Sequence, residues 1–206
     1  MRPASLRVRR ILAALLTLMI RALYRIDLRA GTLPERGPAL IAANHTAYVD
    51  PFVLLACSEP PLRFVYWHGL DRIPLVGWFC RFSGGIPIAS AHEKPELLDR
   101  AMREIDDALA RGEVVAIFPE GALTRDGELA PFKRGIEHII AARPTRVFPV
   151  AIEGLWGSVF SRASRRRPRT LRPRITLAAG SPIAPDLLES GALHDEVLRL
   201  RACAAA

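Results

Sequence analysis

Short runs of uninterrupted apolar residues limit most strongly what this chain can fold into. Ala39 to Ala43, Val114 to Phe118 and Val147 to Ile152 contain no alternating polar positions, so we expect both faces of these strands to be covered. Helical spacing lies between them, most clearly from Pro95 to Arg111, where Gly112 supplies a stop signal. We therefore predict an α/β domain with a mostly parallel or mixed central sheet flanked by helices.

The same criteria place the remaining elements, and polar residues follow two of the strands directly. Further extended segments are predicted at Leu62 to Trp67, Ile86 to Ile88 and Ile175 to Ala179. Further helices are predicted at Pro74 to Phe82, Gly135 to Ala142 and, more weakly, near the carboxyl end. Asp50 can cap another helix, with Pro51 at its first position. Functional sites of such sheets lie beyond the carboxyl ends of the strands.

The length and charge of the chain restrict its partners. A chain of 206 residues suits one domain with a substantial core. Its net charge of +8 indicates anionic partners. Nucleic acid is not expected, because no zinc-finger spacing or RNA-binding motif accompanies the charge. Cys57, Cys80 and Cys203 are scattered, which is typical of reduced residues in a cytosolic protein rather than of a disulfide framework or zinc site.

A ten-residue apolar segment, Ile11 to Ile20, lies between arginines near the amino terminus. It is too short to span a bilayer, which takes ~20 apolar residues, and no signal-peptide cleavage site follows it. We expect an interfacial membrane helix; a helix packed on the domain is the alternative, and different faces of one helix can do both. Residues 1–30 are assigned to this helix, 31–185 to the main domain and 186–206 to a carboxyl-terminal helix and tail.

Two polar segments follow predicted strands. Asn44-His45-Thr46-Ala47-Tyr48-Val49-Asp50 follows the first, and Phe118-Pro119-Glu120-Gly121 ends another. A histidine beside a carboxylate can act as a base near neutral pH. Taken alone, the first spacing favours a structural interpretation, and the second favours an ordinary turn. His45 and Asp50 have no third ligand at a telling spacing, so no metal is expected.

Together, however, these segments resemble the glycerophospholipid acyltransferase family, which includes the bacterial lysophosphatidate acyltransferases. That family has Asn-His-x4-Asp followed by Phe-Pro-Glu-Gly, and the order and separation match here. Gly85 to Ile88 and Val147 to Ile152 resemble its second and fourth characteristic segments. The resemblance covers roughly residues 30 to 180.

This resemblance implies a membrane-associated O-acyltransferase that works without a metal or cofactor. His45 would take a proton from the hydroxyl of a lysophospholipid, whose oxygen attacks the thioester of acyl-CoA or acyl-carrier protein. Asp50 would orient His45, while Glu120 and Gly121 would shape the acceptor pocket. The implied acceptor is 1-acylglycerol-3-phosphate, used in phospholipid synthesis at the cytoplasmic face of the inner membrane.

The chain departs from the family pattern in its cations. Many relatives have an arginine shortly after the second segment, where this chain has Ala89-Ser90-Ala91, and the third segment lacks the usual Gly-Thr-Arg. Arg125, Lys133 and Arg134 remain as candidates for binding an anionic headgroup. The segment after Gly154 looks more like the acyltransferase part of acyl-carrier-protein synthetase/acylglycerophosphoethanolamine acyltransferase proteins. Lysophosphatidylethanolamine or another lyso-lipid is therefore an alternative acceptor.

Several interpretations stay open on the sequence alone. Arg162 to Arg174 carries seven arginines and no acidic residue; it is either a solvated loop or a contact for anionic lipid or an acidic carrier. Trp67, Trp78 and Trp156 are either core or interface residues. A hydrolase using the same His–Asp pair, and a membrane-binding module without activity, are the competing functions. The sequence predicts no oligomeric state.

Overall fold

A seven-stranded sheet forms the centre of the protein, whose computed structural model describes residues 5–59, 61–163 and 172–205. The strands are β1 (Arg25–Ala30), β2 (Ala39–Ala43), β3 (Leu62–Trp67), β4 (Ile86–Ile88), β5 (Val114–Ile117), β6 (Val147–Glu153) and β7 (Arg174–Ala179). Their order is β1-β7-β6-β2-β5-β3-β4. Neighbouring strands are parallel except β6 and β7, which are antiparallel. The predicted mostly parallel or mixed sheet is confirmed.

Helices cover both faces of the sheet. They are α1 (Leu6–Leu23), α2 (Asp50–Cys57), α3 (Pro74–Phe82), α4 (Pro95–Ala110), α5 (Gly135–Ala142) and α6 (Ser190–Ala205). One core cluster joins α1 and α2 to the sheet, and a second joins α4, α5 and α6 to the opposite face. Successive residues of β2 enter different clusters, with Ile41 in the first and Leu40 in the second. This explains why the sequence of β2 shows no polar alternation.

The amino-terminal segment differs from its prediction. Helix α1 ends at Leu23, and residues 25–30, which were assigned to the same helical segment, form the edge strand β1 beside β7. The sequence of β1 alternates charged and apolar residues, which is typical of a half-exposed strand. Its Asp27 pairs with Arg174 of β7, and charged residues at an edge discourage pairing with other chains.

Helix α1 has one packed and one exposed face. Ile20 is buried, and the guanidinium of the buried Arg9 donates to the Glu113 carboxylate at 3.3 Å. Ile11, Leu15 and Leu18 are exposed. No helix within the described residues is long and apolar enough to cross a membrane.

The carboxyl ends of β2, β3, β5 and β6 lie at one edge of the sheet, because these strands run in the same direction. The two polar segments predicted to carry the chemistry start at this edge, after β2 and β5. Most of the arginine-rich segment from Arg162 to Arg174 lies outside the described residues, so its predicted contact with lipid or carrier stays a prediction.

Candidate active site

His45 and Asp50 form a direct pair after the end of β2. The Nδ1 atom of His45 lies 2.8 Å from Oδ2 of Asp50. The Asp50 side chain is fully buried, whereas that of His45 is 19% exposed. The pair predicted from the sequence is therefore present as a hydrogen-bonded couple with one accessible member.

Asp50 does not cap α2 in the predicted way. It is the first residue of that helix, and Val49 stands at the N-cap position without a side-chain cap bond. The Asp50 carboxylate instead accepts the backbone N–H groups of Thr46 at 2.6 Å and Ala47 at 2.8 Å. The loop folds back over its own carboxylate because a buried negative charge needs donors, and these bonds fix the direction in which Oδ2 meets His45.

The hydrogen bonds of Asp50 determine which nitrogen of His45 carries the proton. An ionised carboxylate only accepts, so Nδ1 must donate to it and Nε2 keeps a free lone pair. Within the described residues, no group forms a hydrogen bond with Nε2. His45 is therefore arranged as a base, with the carboxylate placed to stabilise the imidazolium that forms when Nε2 takes a proton.

Phe118 supports the imidazole ring from the side. The two rings are stacked with centroids 4.1 Å apart and planes 18° from parallel. Phe64 of β3 is stacked in turn on Phe118, with a centroid distance of 6.5 Å. Phe118 belongs to the Phe-Pro-Glu-Gly motif, but the sequence predicts no function for it. Only the folded sheet brings the ends of β2, β3 and β5 together.

Glu120 connects the two polar segments. Its Oε1 accepts the backbone N–H of His45 at 2.6 Å, and its Oε2 accepts that of Ala130 at 2.9 Å. The side chain is buried. Burial raises the pKa of the Glu120 carboxyl, while the N–H groups of Ala130 and His45 act in the opposite direction. The carboxylate predicted to shape the acceptor pocket thus holds the backbone beside the base.

Gly121 and Lys133 lie against each other. Gly121 has a φ of +72°, and a Cβ at this position would lie only 2.5 Å from Nζ of Lys133. A side chain at residue 121 would therefore displace the end of the lysine side chain as well as strain the backbone. The Lys133 backbone N–H also donates to the Pro119 carbonyl at 3.0 Å. This geometry brings the exposed Lys133 ammonium next to the turn that contains Glu120.

The other two predicted cations are placed differently. Arg125 is exposed in the loop that follows Gly121. The Arg134 side chain is 81% exposed and forms an ion pair with Glu137 at 2.9 Å. Of the three candidates, Lys133 thus has the contact that most clearly joins it to the motif residues.

Two further residues support this site without having been predicted to. The Asn44 side chain bonds both backbone groups of Ile152, with distances of 3.0 Å and 2.7 Å, and so joins the ends of β2 and β6. Arg201 of α6 pairs with Glu153 and donates to the Gly127 carbonyl at 2.9 Å. Asn44 belongs to the Asn-His-x4-Asp motif, whereas no local pattern identifies Arg201.

A comparison with known protein families gives a match that covers this site. The model of the family described as Acyltransferase matches residues 25–153, which include both polar segments and the six strands from β1 to β6. The chain belongs to the acyltransferase family. This confirms the resemblance that the sequence motifs predicted.

Individual relatives of this acyltransferase-family chain have two kinds of name. The chain is 28% identical over 142 residues to the chloroplastic 1-acyl-sn-glycerol-3-phosphate acyltransferase of Brassica napus, an alignment that covers 67% of this chain and 40% of that protein. It is 28% identical over 130 residues to the lyso-ornithine lipid O-acyltransferase of Rhodobacter capsulatus, with 59% and 45% covered. The chain thus matches less than half the length of these curated relatives.

A solved structure shares the fold of this family member. The crystal structure of the 1-acyl-sn-glycerophosphate acyltransferase from Thermotoga maritima superposes with a TM-score of 0.72 at 21% sequence identity. The match covers 97% of this chain and 80% of the other. The likeness establishes that the α/β architecture described above is a known one.

Proposed function

We propose that this chain transfers a fatty acyl group from an acyl thioester to the hydroxyl of a lysophospholipid, with 1-acylglycerol-3-phosphate as the leading acceptor. The observation that carries the proposal is the His45–Asp50 pair, whose 2.8 Å bond engages Nδ1 and leaves Nε2 without a partner among the described residues. The names of the curated relatives, such as the enzyme from Brassica napus, support this acceptor.

The reaction needs one base and no covalent acyl-enzyme. Nε2 of His45 takes the hydroxyl proton while the hydroxyl oxygen attacks the thioester carbonyl carbon. The C–S bond then breaks, and the leaving thiolate accepts the proton from the imidazolium. Asp50 stabilises the imidazolium in the meantime, so the positive charge on the ring is paired throughout the step.

One assay tests this function directly. Purified protein is given acyl-CoA or acyl-carrier protein together with a panel of lysolipids, and the products are identified by mass spectrometry. We expect a diacyl product that depends on the lysolipid and is lost in His45→Ala. Thioester loss that is independent of the lysolipid would instead identify a hydrolase, and vesicle binding without turnover of either donor would identify an inactive module. The same experiment decides between the two donors.

The acceptor headgroup has a second candidate. A match to a lyso-ornithine lipid O-acyltransferase shows that relatives of this chain include enzymes named for another lyso-lipid. The absence of arginine from Ala89-Ser90-Ala91 points the same way, since a phosphomonoester gains most from bidentate arginine. Under the leading proposal, Lys133 and Arg125 bind the headgroup phosphate. Equal or faster turnover of a lyso-lipid without a phosphomonoester would favour the alternative acceptor.

We also propose that α1 binds the membrane surface on the cytoplasmic face of the inner membrane. Its exposed residues Ile11, Leu15 and Leu18 lie in a segment with arginines at both ends, the arrangement of an interfacial helix. Scattered, unpaired cysteines are compatible with a reducing compartment. Sedimentation with vesicles tests the membrane part, because binding should weaken with salt and strengthen with anionic lipid. Cell fractionation with protease protection tests the side of the membrane.

A further inference from the structure

Helix α3 has an apolar surface that the fold does not use. Ile73, Leu75, Val76 and Trp78 are all exposed, and we call these four residues the α3 patch. Leu75 is 82% exposed and Trp78 is 49% exposed. Neighbouring apolar side chains that remain in water are costly, and on a folded protein they commonly mark a contact surface.

The orientation of α3 is fixed, so these residues cannot turn inward. Gly77 lies on the inner side of the helix, where an added Cβ would be only 2.7 Å from Cα of Asp71. Phe79 contacts Phe52 of α2 with ring centroids 5.9 Å apart. Because both inner positions are occupied by close contacts, Leu75 and Trp78 must face away from the domain.

The charges near the patch indicate what can bind it. Asp71 is the one carboxylate between residues 67 and 82. It accepts the Arg81 guanidinium at 2.6 Å and the Tyr66 hydroxyl at 3.0 Å, so its charge is already paired. Arg72, beside the patch, is exposed. An apolar surface with a tryptophan and an exposed cation fits an anionic lipid surface.

The segment that follows α3 contacts α1, the helix proposed above to bind the membrane. The guanidinium carbon of Arg9 in α1 would be 3.3 Å from a Cβ on Gly84, which follows α3, and both helices lie beside α2 on the same face of the sheet. The first acidic residue of the chain is Asp27, so α1 itself carries only positive charges. The α3 patch and the exposed apolar residues of α1 thus belong to helices on the same face of the sheet.

We propose that the α3 patch is a second lipid-contacting surface, inserted at the headgroup boundary of an anionic bilayer. This inference rests on the proposed function, because a lysolipid acceptor reaches the enzyme from such a surface. A short turn, residues 68–72, joins the carboxyl end of β3 to α3, and that end of β3 lies at the same sheet edge as His45. Insertion of α3 therefore brings the sheet edge that carries His45 towards the lipid.

Tryptophan fluorescence tests the insertion without any need for turnover. Trp67→Phe combined with Trp156→Phe leaves Trp78 as the single tryptophan. Vesicles of phosphatidylcholine and phosphatidylglycerol, with bromine on the acyl chains, are then titrated with this protein. We expect a blue shift and quenching of Trp78 emission. Vesicle binding through α1 with Trp78 unquenched would overturn the proposal, as would the absence of any vesicle binding.

Substitutions measure what the patch contributes. Leu75→Ser combined with Trp78→Ser should weaken vesicle binding by about tenfold or more, since large apolar side chains gain free energy on leaving water. Leu187→Ser is the matched control, because Leu187 is 69% exposed but lies outside the patch. A patch occupied by a second copy of the chain would instead give a concentration-dependent dimer that the double variant abolishes.

Activity assays separate this proposal from the proposed function. With a short-chain, water-soluble acceptor and donor, the double variant should keep the rate of the unmodified protein, whereas its rate on acceptor presented in vesicles should fall in parallel with binding. If no acyl transfer is found with any substrate, the proposed function fails while the quenching result still decides whether α3 inserts. Equal loss on soluble and vesicle-bound substrates would contradict the lipid contact.

Discussion

The two carboxylates beside His45 and the three cations near them are held in contrasting ways. Asp50 and Glu120 are buried, and each accepts at least two backbone N–H groups. Arg125, Lys133 and Arg134 are exposed, and the Arg134 side chain forms an ion pair with the neighbouring Glu137. We infer from this difference that the base is positioned before any substrate arrives, whereas the headgroup cations remain free to move.

This contrast has a consequence for substitutions. Changes in the buried corner should lower the rate of the chemical step, because its groups are fixed for that step. Changes among the exposed cations should mainly affect binding of the headgroup, and the size of these effects should decrease as salt is added.

Removal of the base should have the largest effect. We expect His45→Ala to lower kcat by about 10²–10⁴-fold, the usual contribution of a general base, while the thermal unfolding temperature changes little because the ring is partly exposed. His92→Ala is the control, since His92 is exposed outside the site. Full activity of His45→Ala in the mass-spectrometric assay would reject the catalytic assignment.

Neutralising Asp50 should come next. Asn in place of Asp50 can still accept from Nδ1 and from the Thr46 and Ala47 N–H groups through its single oxygen, because all three bonds converge on Oδ2. The charge that stabilises the imidazolium is lost, so we expect kcat to fall by about 10²-fold with the fold retained. Circular dichroism and steady-state kinetics check this pair of expectations. A large loss of stability with unchanged kcat would show that Asp50 is structural only.

Glu120→Gln should act mainly by displacing the backbone beside the base. Two N–H groups bond to different oxygens of Glu120, and glutamine has only one oxygen, so one partly buried N–H donor loses its acceptor. We expect a cost of about 1–3 kcal/mol in the free energy of unfolding and a fall in kcat of about tenfold through displacement of His45. Urea unfolding and kinetics measure both. Glu128→Gln, in the same loop but exposed, should change neither quantity.

The fold was predictable where local pattern and burial coincide. The uninterrupted apolar runs gave the central strands β2, β5 and β6, because strands covered on both faces leave no polar positions. Strand β1 was missed because it is a half-exposed edge strand whose alternation covers only six residues beside a strongly apolar helix. Gly112 was correctly predicted to end α4, and its φ of +72° explains why glycine stands there.

The members of the site and the His45–Asp50 pair were predictable from the sequence, but the other contacts were not. The motifs identified His45, Asp50 and Glu120, since the order of the segments is legible in the sequence. That Glu120 holds the N–H of His45 depends on the distance between the loops after β2 and β5, which only the folded sheet determines. Arg201 reaches the Gly127 loop from a helix at the other end of the chain, so no local pattern indicates it.

Among the cations, Lys133 should matter most for binding. Its ammonium lies next to Gly121, so we expect Lys133→Gln to raise KM for an anionic acceptor by about fivefold, the scale of an exposed charge contact of about 1 kcal/mol. The effect should diminish at high salt, and kcat should stay within about twofold because the base is untouched. Measured KM values in low and high salt provide the test. A fall in kcat alone would place Lys133 in the chemical step instead.

Arg134, its neighbour in sequence, should have the smallest effect on activity. Its guanidinium already pairs with Glu137, so Arg134→Gln should leave KM for the acceptor nearly unchanged and thereby serve as the control for Lys133. A KM change as large as that of Lys133→Gln would show that the two cations act together on the headgroup.

The signature of Arg134→Gln should instead lie in acid stability. Hydrogen bonds from Ser190, and then from Arg134, lower the pKa of Glu137 from 4.5 to about 2. A lowered carboxyl pKa stabilises the fold above pH 4.5, and this stabilisation is lost as the pH falls towards about 2. Arg134→Gln brings that pKa closer to 4.5, so we expect the free energy of unfolding to depend less on pH between about 5 and 3. Urea unfolding across this pH range measures the change, and Glu137→Gln is the control variant that removes the carboxyl altogether. An unaltered pH dependence in both variants would mean that the partners of Glu137 do not lower its pKa in the folded state.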